Sequence, residues 1–368
     1  MRHRPRQAKG RPLVGERYTV EVGPVAHGGH FVARHEGRVL FVRHALPGER
    51  VVVEVTEGSE RDKFLRADVV EVLERSPDRV TPPCPYSGPG LCGGCDFQHV
   101  SLDAQRALKA AVVREQLQRL AGLDVPVTVE AVPGDEAGLR WRTRIEWART
   151  RDGHRGLRKH RSHDVVPVED CMIARTDARA GSGLVTEHVR DHDFRVDADG
   201  FWQVHPGAPE VLVAAVLEGL EPKPGERALD LYSGVGLFSA FLAEAVGVTG
   251  HVLAVEGNRR ATVHATQNLS AYPWVSVRTG RVDESLGGLT HADVVVLDPP
   301  REGAKRAVVQ AVAGLTPRAV AYVACDPAAL ARDTAIFAEH GYVLDTLRAF
   351  DLFPMTHHVE CVAILRRA

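Results

Sequence analysis

The sequence predicts an α/β fold: a C-terminal Rossmann-like domain behind an N-terminal, OB-like β-barrel, with a mixed α+β domain between them. Three observations support this. Short apolar runs broken by turn residues fill residues 12 to 75. From about residue 207 the pattern becomes strand–helix alternation, which implies a mostly parallel sheet covered on both faces. Between them Thr81-Pro82-Pro83 marks a boundary, followed by a bunch of cysteines. The chain is 368 residues long, enough for two or three domains with separate cores.

In the first part Tyr18–Val22, Arg38–Val42, Val51–Val55 and Ala67–Val72 are the expected strands. Gly28-Gly29, Pro47-Gly48-Glu49 and Gly58-Ser59 are the turns between them. Several short strands with little helical signal suit a small oligonucleotide-binding type of barrel, residues 12–78, after a basic tail over 1–11. The middle part, 79–200, should open with an amphipathic helix from Leu102 to Ala121 and continue as mixed strands. The last part, 201–368, has expected strands at Ala228–Leu231, His251–Val255, Ala292–Leu297 and Val320–Ala324, with a final strand at Cys361–Leu365. Ligands of such sheets bind beyond the carboxyl ends of the strands, and Glu256, Asp298 and Cys325 all stand there.

Composition excludes some classes of protein. No run approaches 18 apolar residues, so no membrane span is expected, and the basic N-terminus lacks the apolar core of a secretory signal. A cytoplasmic protein is the expectation. The net charge of −2 is neutral on nucleic acid; distribution matters more. Arg140 to Arg161 holds nine Lys or Arg, including Arg140, Arg142, Arg144 and Arg158, with Trp141 and Trp147 among them. Such a stretch can neutralise phosphates while an aromatic stacks on an unpaired base. The chain has only six Lys, so its positive charge is Arg-biased throughout, and a solvated face is the rival reading.

Asp230-Leu231-Tyr232-Ser233-Gly234-Val235-Gly236 follows a strand and opens a helix. Two glycines let a backbone approach a ligand where a side chain would clash, and Glu256 at the next strand end can accept from two ribose hydroxyls. Nicotinamide dinucleotides and S-adenosylmethionine both meet this pattern. The missing third glycine and the acidic Asp230 favour the methyl donor. Methylating a pyrimidine C5 needs a thiolate to add to C6 and a base to remove the C5 proton. Cys325, before the helix-opening Asp326-Pro327, has the position of an activated nucleophile, because a helix N-terminus favours thiolate. Cys361, inside an apolar strand, is expected to be core. Cys84-x7-Cys92-x2-Cys95 with Cys171 offers four soft ligands that suit zinc or a [4Fe–4S] cluster; spacing alone does not decide between them, and zinc has the edge for an unknown protein.

Five ordered motifs carry a resemblance covering nearly the whole chain. They are Phe201-Trp202-Gln203-Val204, Asp230 to Gly236, Leu297-Asp298-Pro299-Pro300-Arg301, Tyr322 to Asp333, and Phe353-Pro354-x-Thr356-x-His358-x-Glu360. The sequence resembles the RNA uracil-C5 methyltransferases that have an N-terminal TRAM domain and an iron–sulfur cluster. The resemblance implies a class I methyltransferase domain, S-adenosylmethionine as methyl donor, and a flipped uridine of ribosomal or transfer RNA as substrate. It implies Cys325 as nucleophile and Glu360 as proton acceptor. Gln203, Tyr232, Gly234, Gly236, Glu256 and Asp298 match cofactor positions, and Gln203 and Asp298 are also candidates to face the uracil. It turns the assignment of Cys84, Cys92, Cys95 and Cys171 from zinc to [4Fe–4S]. Leu237, Ala324 and Met355 depart from the family's usual Asn, Ser and His. Rival readings are a methyltransferase acting on cytosine or another acceptor, and an RNA-binding protein that has lost catalysis.

Overall fold

A computed structural model describes residues 10–368 of the chain. Of the expected basic tail, residues 1–9 lie outside the described residues. The chain forms two compact units. One gathers the described residues up to Leu108, Trp147–Met172 and Pro354–His357; the other gathers Lys109–Glu146, Ile173–Phe353 and His358–Ala368. The division is discontinuous, where the sequence reading cut the chain into consecutive stretches.

The first unit begins with β1 (Arg17–Ala26), β2 (His30–His35), β3 (Arg38–Arg43), β4 (Arg50–Glu57) and β5 (Phe64–Glu74). They close into a barrel in the order β1-β2-β3-β5-β4. Alternation builds it: Val51, Val53 and Val55 of β4 point inward against Phe31, Leu40 and Leu65, while the residues between them face out. The expected barrel is present. Strand β2 was not singled out in the sequence, because His30-Phe31-Val32-Ala33-Arg34-His35 mixes apolar and charged residues on both faces.

Helix α1 (Leu102–Ala121) begins in the first unit and ends in the second. The chain then runs through β6 (Val129–Ala131), β7 (Arg142–Arg144), β8 (Ala148–Arg149), β9 (Arg155–Arg158), β10 (Val165–Pro167), β11 (Ala174–Arg179), β12 (Leu184–Val189) and β13 (His192–Asp197). Strands β8, β9 and β10 form a small antiparallel sheet of the first unit. In the second unit β7 pairs with β11, and β12 with β13.

The remaining elements are α2 (Ala208–Leu220), β14 (Arg227–Leu231), α3 (Leu237–Val246), β15 (His251–Glu256), α4 (Arg259–Asn268), β16 (Val275–Thr279), α5 (Val282–Ser285), β17 (Val294–Leu297), α6 (Lys305–Gly314), β18 (Ala319–Ala324), α7 (Pro327–Glu339), β19 (Tyr342–Asp351) and β20 (Glu360–Arg367). They build an eight-stranded sheet in the order β16-β15-β14-β17-β18-β20-β19-β6, in which β20 runs antiparallel to its neighbours. Alternate residues feed two cores. Ala228, Val294, Val296 and Val323 join α2 and α3 on one face. Leu229, Val295, Tyr322 and Ala324 join α1, α6 and α7 on the other. The chain reverses its direction of travel between β14 and β17, so their carboxyl ends open a crevice there. Among the described residues no helix is long and apolar enough to cross a membrane.

Candidate active site

The glycine turn sits on that crevice. The Tyr232 and Ser233 amides both donate to the Val255 carbonyl, 2.9 and 3.1 Å, and the Asp298 amide donates to Leu231, 3.2 Å. Tyr232, Gly234 and Gly236 all have positive φ, at 66°, 57° and 95°. A Cβ on Gly236 would stand 2.9 Å from Leu269 Cδ1, whereas Gly234 faces open space. The Glu256 carboxylate accepts from the Gly234 amide (3.0 Å) and the Asn258 amide (2.7 Å). These contacts bring Tyr232, Gly234, Gly236, Glu256 and Asp298 together as the sequence expected. Gln203 is buried in the loop between β13 and α2, and among the described residues no hydrogen bond or ion pair joins it to the turn.

Below the turn, strand alternation aims Asp230 at α3, where Ser239 Oγ donates to its Oδ2 at 2.5 Å. Its Oδ1 is buried without a partner. Burial pushes this carboxyl up to about 7, and the Glu256 charge adds to the effect. Asp298 is also pushed up to about 7, by burial and then by Asp230 and Glu256.

Cys325 follows β18 directly, and Asp326 caps α7 by accepting from the Ala329 amide at 2.8 Å. Glu360 is the first residue of β20, beside β18, and is 4 % exposed. Cys325, Glu360, Asp298 and Arg301 lie within electrostatic reach of one another. Burial, then Glu360 and Asp298, push the Cys325 thiol up to about 12, with Arg301 opposing. Burial and Asp298 hold the Glu360 carboxyl well above the carboxylate range, again against Arg301. The helix start is where it was expected, but burial and acidic neighbours work against the thiolate that this position favours. Cys361 is fully buried, as expected.

Sequence reasoning gave Arg301 no role in this cluster. Its Nη2 lies 3.4 Å from His358 Nε2. Its place after the Asp-Pro-Pro turn at a strand's carboxyl end was the available signal.

The Arg-rich stretch divides. Arg140 donates to the Ala174 carbonyl at 3.0 Å, Arg142 to Arg144 at 2.9 Å, and Arg144 to Asp199 at 2.9 Å, so all three bond to backbone. Arg158 is exposed on β9. Trp141 was a candidate base-stacking residue, but it is 1 % exposed and packs on His205 and Phe353. Its apolar ring is worth more in the core than in solvent, which removes it from that role. Trp147 is half-buried under the Arg155 guanidinium, 4.2 Å from its ring centre.

In the first unit Cys84, Cys92, Cys95 and Cys171 are not joined by disulfides. Burial pushes the Cys95 thiol up, and Cys171, Cys92 and Cys84 each add to it, which places the four in one electrostatic neighbourhood. Gln98 Nε2 donates to Cys95 Sγ and the Gly94 amide to Cys92 Sγ, both at 3.4 Å. Among the described residues no three His, Cys, Asp or Glu side chains converge as metal ligands. Residue type and neighbourhood therefore fit a soft metal group, while a preformed cage is not present.

Comparison with known proteins follows this geometry. The TRAM domain family matches residues 11–70, a family described as tRNA (Uracil-5-)-methyltransferase matches 288–368, and one described as Protein-L-isoaspartate(D-aspartate) O-methyltransferase matches 202–292. An uncharacterized RNA methyltransferase of Streptomyces avermitilis is 47% identical, covering 96% of this chain and 99% of that protein. The 23S rRNA (uracil(1939)-C(5))-methyltransferase RlmD of Shewanella amazonensis is 30% identical, covering 98% and 97%. The chain belongs to the RNA uracil-C5 methyltransferases. As a member it is an S-adenosylmethionine-dependent enzyme acting on RNA. The fold is shared with the Pyrococcus abyssi tRNA (uracil-54, C5)-methyltransferase, solved in complex with S-adenosyl-L-homocysteine. That match has a TM-score of 0.70 and 22% identity, and covers 94% of this chain and 99% of that one.

Proposed function

We propose that this methyltransferase modifies C5 of one uridine in a ribosomal or transfer RNA, in the cytoplasm, through a covalent bond between Cys325 and C6. The observation that carries the reading is the shared neighbourhood of Cys325, Glu360, Asp298 and Arg301 at the strand ends beside the glycine turn. Bound S-adenosylmethionine supplies an electrophilic methyl on a sulfonium. Tyr232, Glu256, Gln203 and the Gly234–Gly236 backbone would hold it, with the Glu256 carboxylate suited to accept from ribose hydroxyls. Cys325 gives up its thiol proton to solvent and Sγ bonds to C6, moving the C5–C6 π pair onto the C4 carbonyl. The pair on the C4 oxygen would return through C5 to take the methyl, as the donor's sulfonium carbon–sulfur bond breaks and leaves a neutral thioether. Glu360 removes the C5 proton, the C6–Sγ bond breaks, and the ring double bond returns. Arg301 is the cation that offsets the charge developing on Sγ and the ring. The base must leave its stack to reach this site, so an unpaired loop is the natural target.

Arg158 and the exposed arginines of the β8–β10 sheet supply phosphate contacts, with Arg140, Arg142 and Arg144 as further candidates. Cys84, Cys92, Cys95 and Cys171 would hold a [4Fe–4S] cluster, with zinc as the alternative, and its role there is structural.

Cys325→Ala is expected to lower methylation by at least about 10³-fold while RNA binding persists, measured by tritium transfer and gel shift. Glu360→Gln is expected to stall as an RNA–protein adduct on denaturing gels. An active Cys325→Ala enzyme overturns the nucleophile, and a Glu360→Gln enzyme that forms no adduct overturns the base.

A further inference from the structure

Helix α6 starts at Lys305 without a side-chain cap of its own. The amides at its start are instead served from α7: Asp333 Oδ2 accepts from Ala304 N (2.7 Å), Lys305 N (3.2 Å) and Tyr322 Oη (2.5 Å). Tyr322 Oη also accepts from Ala304 N at 2.9 Å. Asp333 is 3 % exposed and Tyr322 is fully buried. The segment they hold, Asp298 to Lys305, carries Asp298 at one end and Arg301 in the middle. It has an unusual backbone, with Gly303 at φ 81° and Lys305 at φ 70°. The Gly303 amide closes back on the Pro300 carbonyl at 2.8 Å. A left-handed residue other than glycine persists only where its surroundings fix it.

The two anchors come from the elements that carry the nucleophile. Tyr322 lies on β18 three residues before Cys325, and Asp333 lies on α7, which starts just after it. We propose that Asp333, with Tyr322, is a positioning residue for the methyl transfer: it locks the Asp298–Ala304 loop so that Arg301 stays opposite Cys325 and Glu360. This deepens the function proposed above and rests on Cys325 and Glu360 carrying the chemistry. The charged groups in play are Glu360, Asp298, Arg301 and Asp326 around Cys325, Asp298 and Arg301 around Glu360, and Asp230 and Glu256 around Asp298. Arg301 faces His358. Arg301 is the cation in this set that favours the ionised forms of Cys325 and Glu360, so releasing it makes both harder to ionise.

The test is the pH profile of kcat in four forms of the full-length enzyme: wild type, Asp333→Ala, Asp333→Asn and Tyr322→Phe. For Asp333→Ala, kcat at pH 7 is expected to fall about 10- to 100-fold, with KM for RNA and for S-adenosylmethionine within about 3-fold of wild type. The rise of kcat with pH should move to higher pH by about one unit, a tenfold loss at fixed pH on the acid limb. Asp333→Asn keeps an oxygen for the Ala304 amide and should recover most of both effects. Tyr322→Phe leaves the carboxylate in place and should show a smaller shift in the same direction. If Asp333→Ala does not fold, Tyr322→Phe carries the test alone. A folded Asp333→Ala enzyme, or a Tyr322→Phe enzyme where Asp333→Ala does not fold, that keeps the wild-type pH profile, whatever its thermal midpoint, overturns the proposal. Cys325→Ala, run in parallel, separates the two readings. If it is active, the function proposed above fails. If it is inactive while the profiles of the Asp333 and Tyr322 variants are unmoved, only the present inference fails.

Discussion

In the glycine turn, proposed to hold the cofactor, polar groups already have backbone partners: Glu256 accepts from Gly234 and Asn258, and Tyr232 and Ser233 donate to Val255. In the cysteine loop the groups proposed as ligands repel one another when charged, and burial makes the ionisation of Cys95 harder. The first site is complete from its own hydrogen bonds, so a ligand finds it formed. The second is gathered by the fold but not closed, and a cation must offset the thiolate repulsion before four sulfurs can converge. A backbone-built site is therefore expected to survive loss of its ligand, and a thiolate-built site to depend on it.

Breaking the second site gives the largest expected effect. Cys95→Ser should abolish the iron, sulfide and visible absorbance that the proposed cluster would give the purified enzyme, while calorimetric affinity for S-adenosylhomocysteine stays within about 2-fold. Full retention of the chromophore would end the contrast. Next comes Asp230, whose folded-state value is raised to about 7. A carboxyl raised on folding contributes stability that is present below its unfolded value near 4 and lost as pH rises toward 7. Asp230→Asn removes that loss, so it should be more stable than wild type at pH 8, by on the order of 4 kcal/mol, with the difference closing toward pH 4. Denaturant titrations across that range measure it, and a constant difference would mean that the turn rests on a charged Asp230. The smallest effect is Glu256→Ala, which should weaken cofactor binding about 10- to 30-fold, the scale of one or two hydrogen bonds to a charged group, with cluster absorbance unchanged. An equal loss of both would show that the two sites are not separately built.

The sheet was legible because its strands are apolar runs that stop at chemically loaded residues, as at Leu231-Tyr232, Leu297-Asp298 and Ala324-Cys325. The edge strand β16 was missed because Val275-Ser276-Val277-Arg278-Thr279 is only half-buried and carries polar residues. Strand β6 is three residues long, and its pairing with β19 is set by tertiary packing alone. In the site, positions along the chain were readable and energies were not. Nothing in the spacing of Cys325 says that Glu360, 35 positions later, will oppose its ionisation, since that depends on β18 and β20 lying side by side. Likewise the Arg140–Arg161 stretch reads as phosphate contacts, with a solvated face as the rival. Local packing instead turns Trp141 inward and commits its neighbours to carbonyl oxygens.

The pairing of β6 with β19 has a consequence for how the enzyme is made. Arg348 grips Glu130 across a separation of 218 residues, so the outermost strand of the sheet is among the first of its parts to be synthesised and its partner among the last. During translation Val129–Ala131 waits with its amides unmatched until the penultimate strand leaves the ribosome. Closing so long a loop is slow, and the final edge of the catalytic sheet should be sealed late in folding.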